Sequence, residues 1–190
     1  MELLENRIKN DAAILSQNVL KIDDFLSNCM DTELIGKMAE EWKRAFDTEG
    51  VTKVLTIEGG GVGIAAITGA VMGVPVVLAK KTRNAISNIE YYTAKVVSYT
   101  HGNIYTVYVP KHYISEGDVL LIVDDLLANG SALRALISIA EASGARLAGA
   151  GIAVEKVFSG GGNDLRAKGY KVESLARVAR ISDVDGIIFE

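Results

Sequence analysis

Apolar positions fall into two repeating patterns along this chain, one helical and one extended. Leu34, Ile35, Met38, Trp42, Ala45 and Phe46 recur at i+3, i+4 and i+7 behind Asp31. That spacing predicts an amphipathic helix over 31–46, capped by Asp31 and ended by Gly50. Leu3, Leu4 and Ile8 predict a helix over 2–13, whereas 14–22 shows no strong period. Lys53–Glu58 then reads as a strand, Gly59-Gly60-Gly61-Val62-Gly63 as a turn, and 64–72 as a helix stopped by Gly73. Val74–Ala79 is the next strand and closes on Lys80-Lys81. Strand, helix and strand in so short a span predict a right-handed βαβ unit and therefore parallel pairing.

Residues 82–90 are polar and without period, which predicts an exposed loop. Two runs rich in β-branched and aromatic residues, 91–99 and 104–109, flank Thr100-His101-Gly102-Asn103 and predict a hairpin. Five apolar residues, Val119–Val123, mark a strand buried on both faces, with Asp124-Asp125 where it should end. A loop of small residues leads into a helix over 131–143, with Leu133, Leu136, Ile137 and Ala140 inward and Gly144 as its stop. Arg146–Glu155 is a further strand, 158–163 a flexible loop, 164–168 a short helix, 170–177 an alternating run and 186–189 a small edge strand. The whole predicts an α/β protein with a central, mostly parallel sheet flanked by helices.

Length and composition narrow this reading. At 190 residues the chain suits one domain over 1–190, and 49% hydrophobic content with 19 glycines suits a compact fold with tight turns. A net charge of −4 argues against non-specific nucleic-acid binding. Cys29 is the single cysteine, so no intrachain disulfide can form and a reducing compartment is expected. The charged N-terminus does not resemble a signal peptide, and no apolar run reaches the ~18 residues of a membrane span. A cytoplasmic protein with no membrane partner is the expectation.

The candidate chemistry gathers at strand ends. Helix N-termini present backbone N–H groups without intrahelical partners and a positive dipole end, so the loop before Ser131 is a place to hold an anion. Carboxylates do not bind anions; Asp124 and Asp125 suit sugar hydroxyls or a hydrated Mg²⁺. A ligand that is both a sugar diol and a phosphate satisfies the whole segment. Glu58, Lys80, Lys81, Asp124, Asp125 and Lys156 all follow strand ends, where open parallel sheets bind ligands, so they should converge on one crevice. A rival pattern is present too: Gly61-Val62-Gly63-Ile64-Ala65-Ala66 fits the G-x-G-x-x-A dinucleotide fingerprint. That fingerprint wants an acid at the end of the second strand, where this chain has Lys80 and Lys81. Around a diphosphate the same residues make better sense, since the side-chain-free Gly59-Gly60-Gly61 lets backbone N–H groups approach and the lysines add positive charge.

At Asp124-Asp125-Leu126-Leu127-Ala128-Asn129-Gly130-Ser131 the chain resembles the phosphoribosyl pyrophosphate (PRPP) motif of the type I phosphoribosyltransferases. The usual loop has Thr in place of Asn129 and Gly-Thr in place of Ser131-Ala132. The resemblance extends over essentially the whole chain, through Leu15–Leu26, Glu155-Lys156 and Ser174–Arg177, and is to the xanthine-accepting part of the purine branch. It implies a type I phosphoribosyltransferase fold with a lid hairpin and a small hood formed by 1–30 and 155–190. It implies transfer of ribose 5-phosphate from PRPP to N9 of xanthine, giving XMP and pyrophosphate, with Mg²⁺ carried mainly by PRPP. By the same resemblance Asp124 and Asp125 hold the ribose, and Ala128, Asn129, Gly130, Ser131 and Ala132 cradle the 5′-phosphate. Gly59, Gly60, Lys80 and Lys81 take the diphosphate, while Leu20, Ser27 and Lys156 contact the purine. Ser27 stands where relatives can carry Asn. Phe158 is a candidate to stack on the base, and no role attaches to Glu58.

The aromatic hairpin, with Tyr91, Tyr92, Tyr99, Tyr105 and Tyr108, and the resemblance both point to a homodimer with 82–109 near the subunit boundary. Two other functions use such a domain: a transferase preferring guanine or hypoxanthine, and a PRPP-sensing regulator that binds nucleic acid. The acidic charge and the lack of a spare N-terminal segment weigh against the regulator.

Overall fold

The computed structural model of the chain describes all residues except 17–18, 84–87, 99–102 and 183–185. The predicted turn at Thr100-His101-Gly102 and the middle of the 82–90 loop lie outside the described residues. The N-terminal part comprises α1 (Glu2–Asp11), β1 (Ala13–Ser16), β2 (Val19–Lys21), α2 (Asp23–Leu26) and α3 (Thr32–Ala45). Next come β3 (Lys53–Ile57), α4 (Gly61–Met72), β4 (Val76–Ala79), β5 (Tyr91–Ser98) and β6 (Asn103–Pro110). The remainder is β7 (Val119–Leu127), α5 (Ser131–Ser143), β8 (Arg146–Lys156), α6 (Gly161–Ala167), β9 (Val172–Ser182) and β10 (Gly186–Phe189).

Six strands form the main sheet in the order β4-β3-β7-β8-β9-β10. All neighbours pair parallel except β10, which runs antiparallel to β9 at the edge. Alternate residues of β7 serve opposite faces, as a pleated strand requires. Leu121 and Val123 join the layer of α3 and α4 with Trp42, Ile35 and Ile64. Leu120 and Ile122 join the layer of α5 and the hairpin, with Leu136, Ile139, Val96 and Val107. The α3 face is set by its sequence: Asp31 accepts a bond from Leu34 N at 3.0 Å, and Leu34, Ile35, Met38 and Trp42 are buried. A side chain at Gly151 of β8 would meet the Trp42 ring at 2.9 Å, so the glycine makes room for the indole.

Several boundaries differ from the sequence expectation, each for a physical reason. Across the stretch that shows no strong period, Ala13–Ser16 and Val19–Lys21 form the small antiparallel pair β1–β2. The α3 helix ends at Ala45, and Gly50 instead terminates the 3₁₀ turn that follows it. The second glycine-rich stretch is not a flexible loop: a 3₁₀ turn over Val157–Ser159 is followed directly by α6, which begins at Gly161. Above all, β7 does not stop before the acidic pair but carries it, since Leu126 and Leu127 continue the ladder against Val154 and Glu155 of β8.

The chain ends meet on the far edge. The terminal ammonium bonds to Leu175 O, and Lys9 Nζ lies 5.2 Å from the Phe189 ring centroid. The β5–β6 hairpin joins the opposite edge through a reciprocal pair, Lys80 N to Tyr108 O at 3.0 Å and Tyr108 N to Lys80 O at 2.8 Å. Among the described residues no helix is long and apolar enough to cross a membrane.

Candidate active site

The acids sit inside the sheet and not beyond it. Asp124 is opposite Ile152 in the β7–β8 register and is only 6% exposed, so it lies within the strand that the sequence expects to end there. Burial is the largest cause that pushes the Asp124 carboxyl well above its ordinary value, and the neighbouring Asp125 charge adds to it. Its Oδ1 accepts from Asp125 N at 3.0 Å. Asp125 is half-buried and turned toward the glycine turn: a Cβ at Gly60 would lie 2.9 Å from the Asp125 carboxyl carbon and 3.4 Å from Ser27 Cβ. Asp125, Gly60 and Ser27 therefore share one corner, where the N-terminal segment reaches the strand ends. Leu20 lies deeper, 6% exposed within the core.

The loop after β7 is a tight turn that leads straight into the N-terminus of α5. Gly130 adopts φ 79°, a left-handed conformation natural to glycine, and turns the chain into α5. Asn129 Oδ1 accepts from Ser131 N at 3.0 Å, and Arg134 Nη2 donates to Asn129 O at 2.6 Å. Asp124 and Leu126–Leu133 line a cavity of about 220 Å³, which Val96, Val97, Tyr105 and Ile152 complete. All five loop residues, Ala128, Asn129, Gly130, Ser131 and Ala132, thus meet Asp124 at one cavity. The hairpin covers it, with Val97 N donating to Ser131 Oγ at 2.8 Å.

The glycine turn divides into an open and a filled part. Gly59 has φ 153° and nothing within 4 Å of where a side chain would stand, so ligand atoms can approach its backbone. Gly61, already the first residue of α4, packs on Asp124 and Thr56, and a Cβ at Gly63 would fall on Met30 Sδ. Two glycines of the dinucleotide fingerprint are therefore spent on packing. Thr56 Oγ1 beside Gly61 is buried and finds no hydrogen-bond partner among the described residues. Lys80 and Lys81 are exposed at the β4 end. Glu58, which had no assigned role, accepts from Lys81 N at 2.7 Å and ties the two strand ends together. Lys81 Nζ in turn lies 5.1 Å from the Tyr105 ring centroid.

Lys156 ends β8 at 9% exposure, and burial lowers its ammonium below the usual lysine range. Glu155 beside it is fully buried and held by Arg166 through two bonds of 2.8 and 2.6 Å. Burial is the largest single effect and would raise the Glu155 carboxyl, but the bonds from Arg166 and Ser174 and the charges of Arg166 and Arg177, the latter 3.5 Å away, together hold it below the ordinary carboxylate range. Phe158 is 42% exposed on the turn that follows.

Not every predicted residue shares the cavity. Lys80 lines a separate space of about 500 Å³ at the outer edge of β4, with Val76, Tyr91, Tyr108, His112 and Tyr113. Sequence reasoning missed Tyr105, Arg134 and the Glu155–Arg166 pair. Arg134 had a signal: a cation just inside a helix N-terminus opposes the dipole and asks for another reason to be there. Among the described residues no group of three or more acids, histidines or cysteines gathers as a metal cage. Asp124 and Asp125 are hard oxygen donors, a set that fits a Mg²⁺ whose remaining oxygens come from a diphosphate and water.

Comparison with known proteins places the chain in one family. The family model described as the phosphoribosyl transferase domain matches residues 21–172. A protein named xanthine phosphoribosyltransferase from Ruminiclostridium cellulolyticum is 44% identical over 183 residues, covering 96% of each chain. Its namesake from Bifidobacterium longum is 45% identical over 189 residues, covering 99% of this chain and 98% of that one. Among solved structures, adenine phosphoribosyltransferase from Rhodothermus marinus superposes with a TM-score of 0.74 at 18% identity, over 94% of this chain and all 100% of that one. At that identity the likeness shows the fold alone.

Proposed function

Because the chain belongs to the phosphoribosyl transferase domain family, we propose that it transfers the 5-phosphoribosyl group of PRPP to N9 of xanthine, releasing pyrophosphate and forming XMP. One observation carries the siting of this reaction. Asp124 and the Ala128–Ala132 loop line one cavity, while half-exposed Asp125 meets Gly60 and Ser27 beside it. The choice of xanthine rests on the relatives of that name at 44 and 45% identity.

The residues divide the substrate between them. Free N–H groups of the loop and the α5 N-terminus take the 5′-phosphate, and Asp124 with Asp125 accept from the ribose hydroxyls. Gly59 and Gly60 offer backbone N–H groups to the diphosphate, whose charge Lys80 and Lys81 offset. Lys156 donates to the C6 oxygen of the purine, an acceptor that adenine lacks. The bond from C1′ to the diphosphate breaks, the ribose becomes cationic in between, the N9 lone pair bonds to C1′, and the imidazole proton of xanthine leaves to solvent. Fixed carboxylates beside that ring stabilise the developing charge without reorganising, which is where such a site lowers its barrier. A bound Mg²⁺ would neutralise the leaving diphosphate.

The working unit in this reading is a homodimer, supported by the half-buried tyrosines of the hairpin and the open space beside β4. Incubation with PRPP, Mg²⁺ and xanthine should release pyrophosphate and form XMP. Parallel reactions with guanine and hypoxanthine rank the purines by kcat/KM, and no turnover with any of the three refutes the proposal.

A further inference from the structure

We propose that α6 is a bracket that fixes the spacing between the phosphate loop and Lys156, and that Glu155 and Arg166 are positioning residues for the purine subsite. This rests on the reaction proposed above. The helix touches both sides at once through consecutive glycines. At Gly161, N donates to Ala128 O at 3.1 Å, and a Cβ would lie 2.5 Å from Gly130 N. At Gly162 a Cβ would fall on Glu155 Oε1, with the carboxyl carbon at 2.6 Å. One helix start is thus wedged between the backbone of the phosphate loop and the carboxylate that precedes Lys156.

The second half of the bracket is the ion pair. Arg166, further along α6, grips Glu155 with both terminal nitrogens, and it also donates to Val172 O at 3.2 and 3.1 Å and to Ser174 Oγ at 3.2 Å. A two-point guanidinium–carboxylate contact fixes orientation as well as distance. Glu155 is fully buried, so its carboxylate has no solvent to retreat into. Adjacent residues of a strand point to opposite faces, so pinning Glu155 also sets the direction in which Lys156 leaves the sheet. The register makes the two sides level: Leu127 is opposite Glu155, so the phosphate loop and Lys156 each begin one residue later. The bracket thus fixes how the two neighbouring strand ends sit relative to each other, and in the proposed reaction one nucleotide would span both.

The experiment compares Gly161→Ala with Gly162→Ala in steady-state kinetics, with melting temperatures to verify folding. Gly161→Ala should raise KM for PRPP about tenfold and KM for xanthine less than threefold, because a displaced loop misplaces one substrate. Gly162→Ala should do the reverse, and adding the shorter Glu155→Asp should restore at least part of the xanthine KM. A merely structural role would shift both KM values together in both variants, and that result, or no shift in folded protein, overturns the proposal. If either alanine variant does not fold, Arg166→Lys keeps the charge without the fork. It should then raise KM for xanthine alone, and equal shifts in both KM values overturn the bracket. A wild-type protein that turns over no purine refutes the reaction, not the bracket. Calorimetric titration with PRPP then decides: Gly161→Ala must weaken binding and Gly162→Ala must not.

Discussion

Asp124 occupies an unfavourable place for a charge: 6% exposed, paired by its strand neighbours and next to a second carboxylate. Its proton affinity in the fold is raised, first by burial and then by Asp125. A carboxyl whose folded pKa exceeds its unfolded value of 3.8 gives its full contribution to stability below that value. The contribution is lost as pH rises through the folded pKa, so at neutral and alkaline pH the free protein holds this charge at a cost. Asp124→Asn removes the cost. The amide oxygen can still accept from Asp125 N, which lies 3.0 Å from Oδ1, so no backbone donor is orphaned.

Relief of a desolvated charge is worth about 1–3 kcal/mol, which for a domain of this size raises Tm by roughly 2–12 °C. Scanning calorimetry from pH 4 to pH 9 should show the variant and wild type converging at the acid end and separating as pH rises. Turnover should move the other way. Each hydrogen bond to a charged acceptor is worth about 1.5–3 kcal/mol, so kcat/KM should fall at least ten- to hundredfold. A variant less stable than wild type throughout, or a stability gap that ignores pH, would refute the reasoning about burial.

Lys156→Ala should lower kcat/KM for xanthine about 10²-fold while leaving the affinity for PRPP nearly unchanged, as ~3 kcal/mol of charge-assisted bonding requires. Unchanged kinetics would remove Lys156 from the purine. At the opposite end of the sheet burial alone would raise Asp118, but bonds from Lys53, Ser115 and Thr52 hold it at about 2 against an ordinary 3.8. Asp118→Asn should therefore cost about 2 kcal/mol at neutral pH, a deficit that shrinks as pH falls from ~4 toward ~2; urea melts at two pH values check it. Light scattering at micromolar concentration should give twice the 20.3 kDa chain mass, and a monomer would count against the dimer.

The α/β architecture was legible because its signals are long: the 3.6-residue stripe of α3, the apolar run of β7 and the glycine stops Gly73 and Gly144. The β1–β2 pair was not, since four- and three-residue strands carry too few positions to establish a period. At the site, the motif that brings Asp124-Asp125 and the 128–132 loop together could be read, but the burial of Asp124 could not. Leu126-Leu127 beyond the acids was the available clue that β7 continues. The glycines at 161 and 162 suggested flexibility because sequence gives no measure of space. In the fold each is needed where another side chain or backbone already stands. The partner of Glu155 could not be read either, because Arg166 lies eleven residues away in sequence and reaches it only through α6.

Carrying an acid within a strand, and not on the loop after it, changes what that acid can do. Loop carboxylates relax toward whatever charge is nearest and are screened by water. Asp124 is held by the β7–β8 pairing and by its bond to Asp125 N, so in the reaction proposed above it would not turn away while the ribose is neutral. In a site of low effective dielectric such a fixed charge interacts more strongly with a cation that exists only in the transition state. The same surroundings make the carboxylate costly in the free protein, which is the raised pKa. Ground-state strain and transition-state stabilisation are then two readings of one placement, and a variant that gains stability there must lose rate.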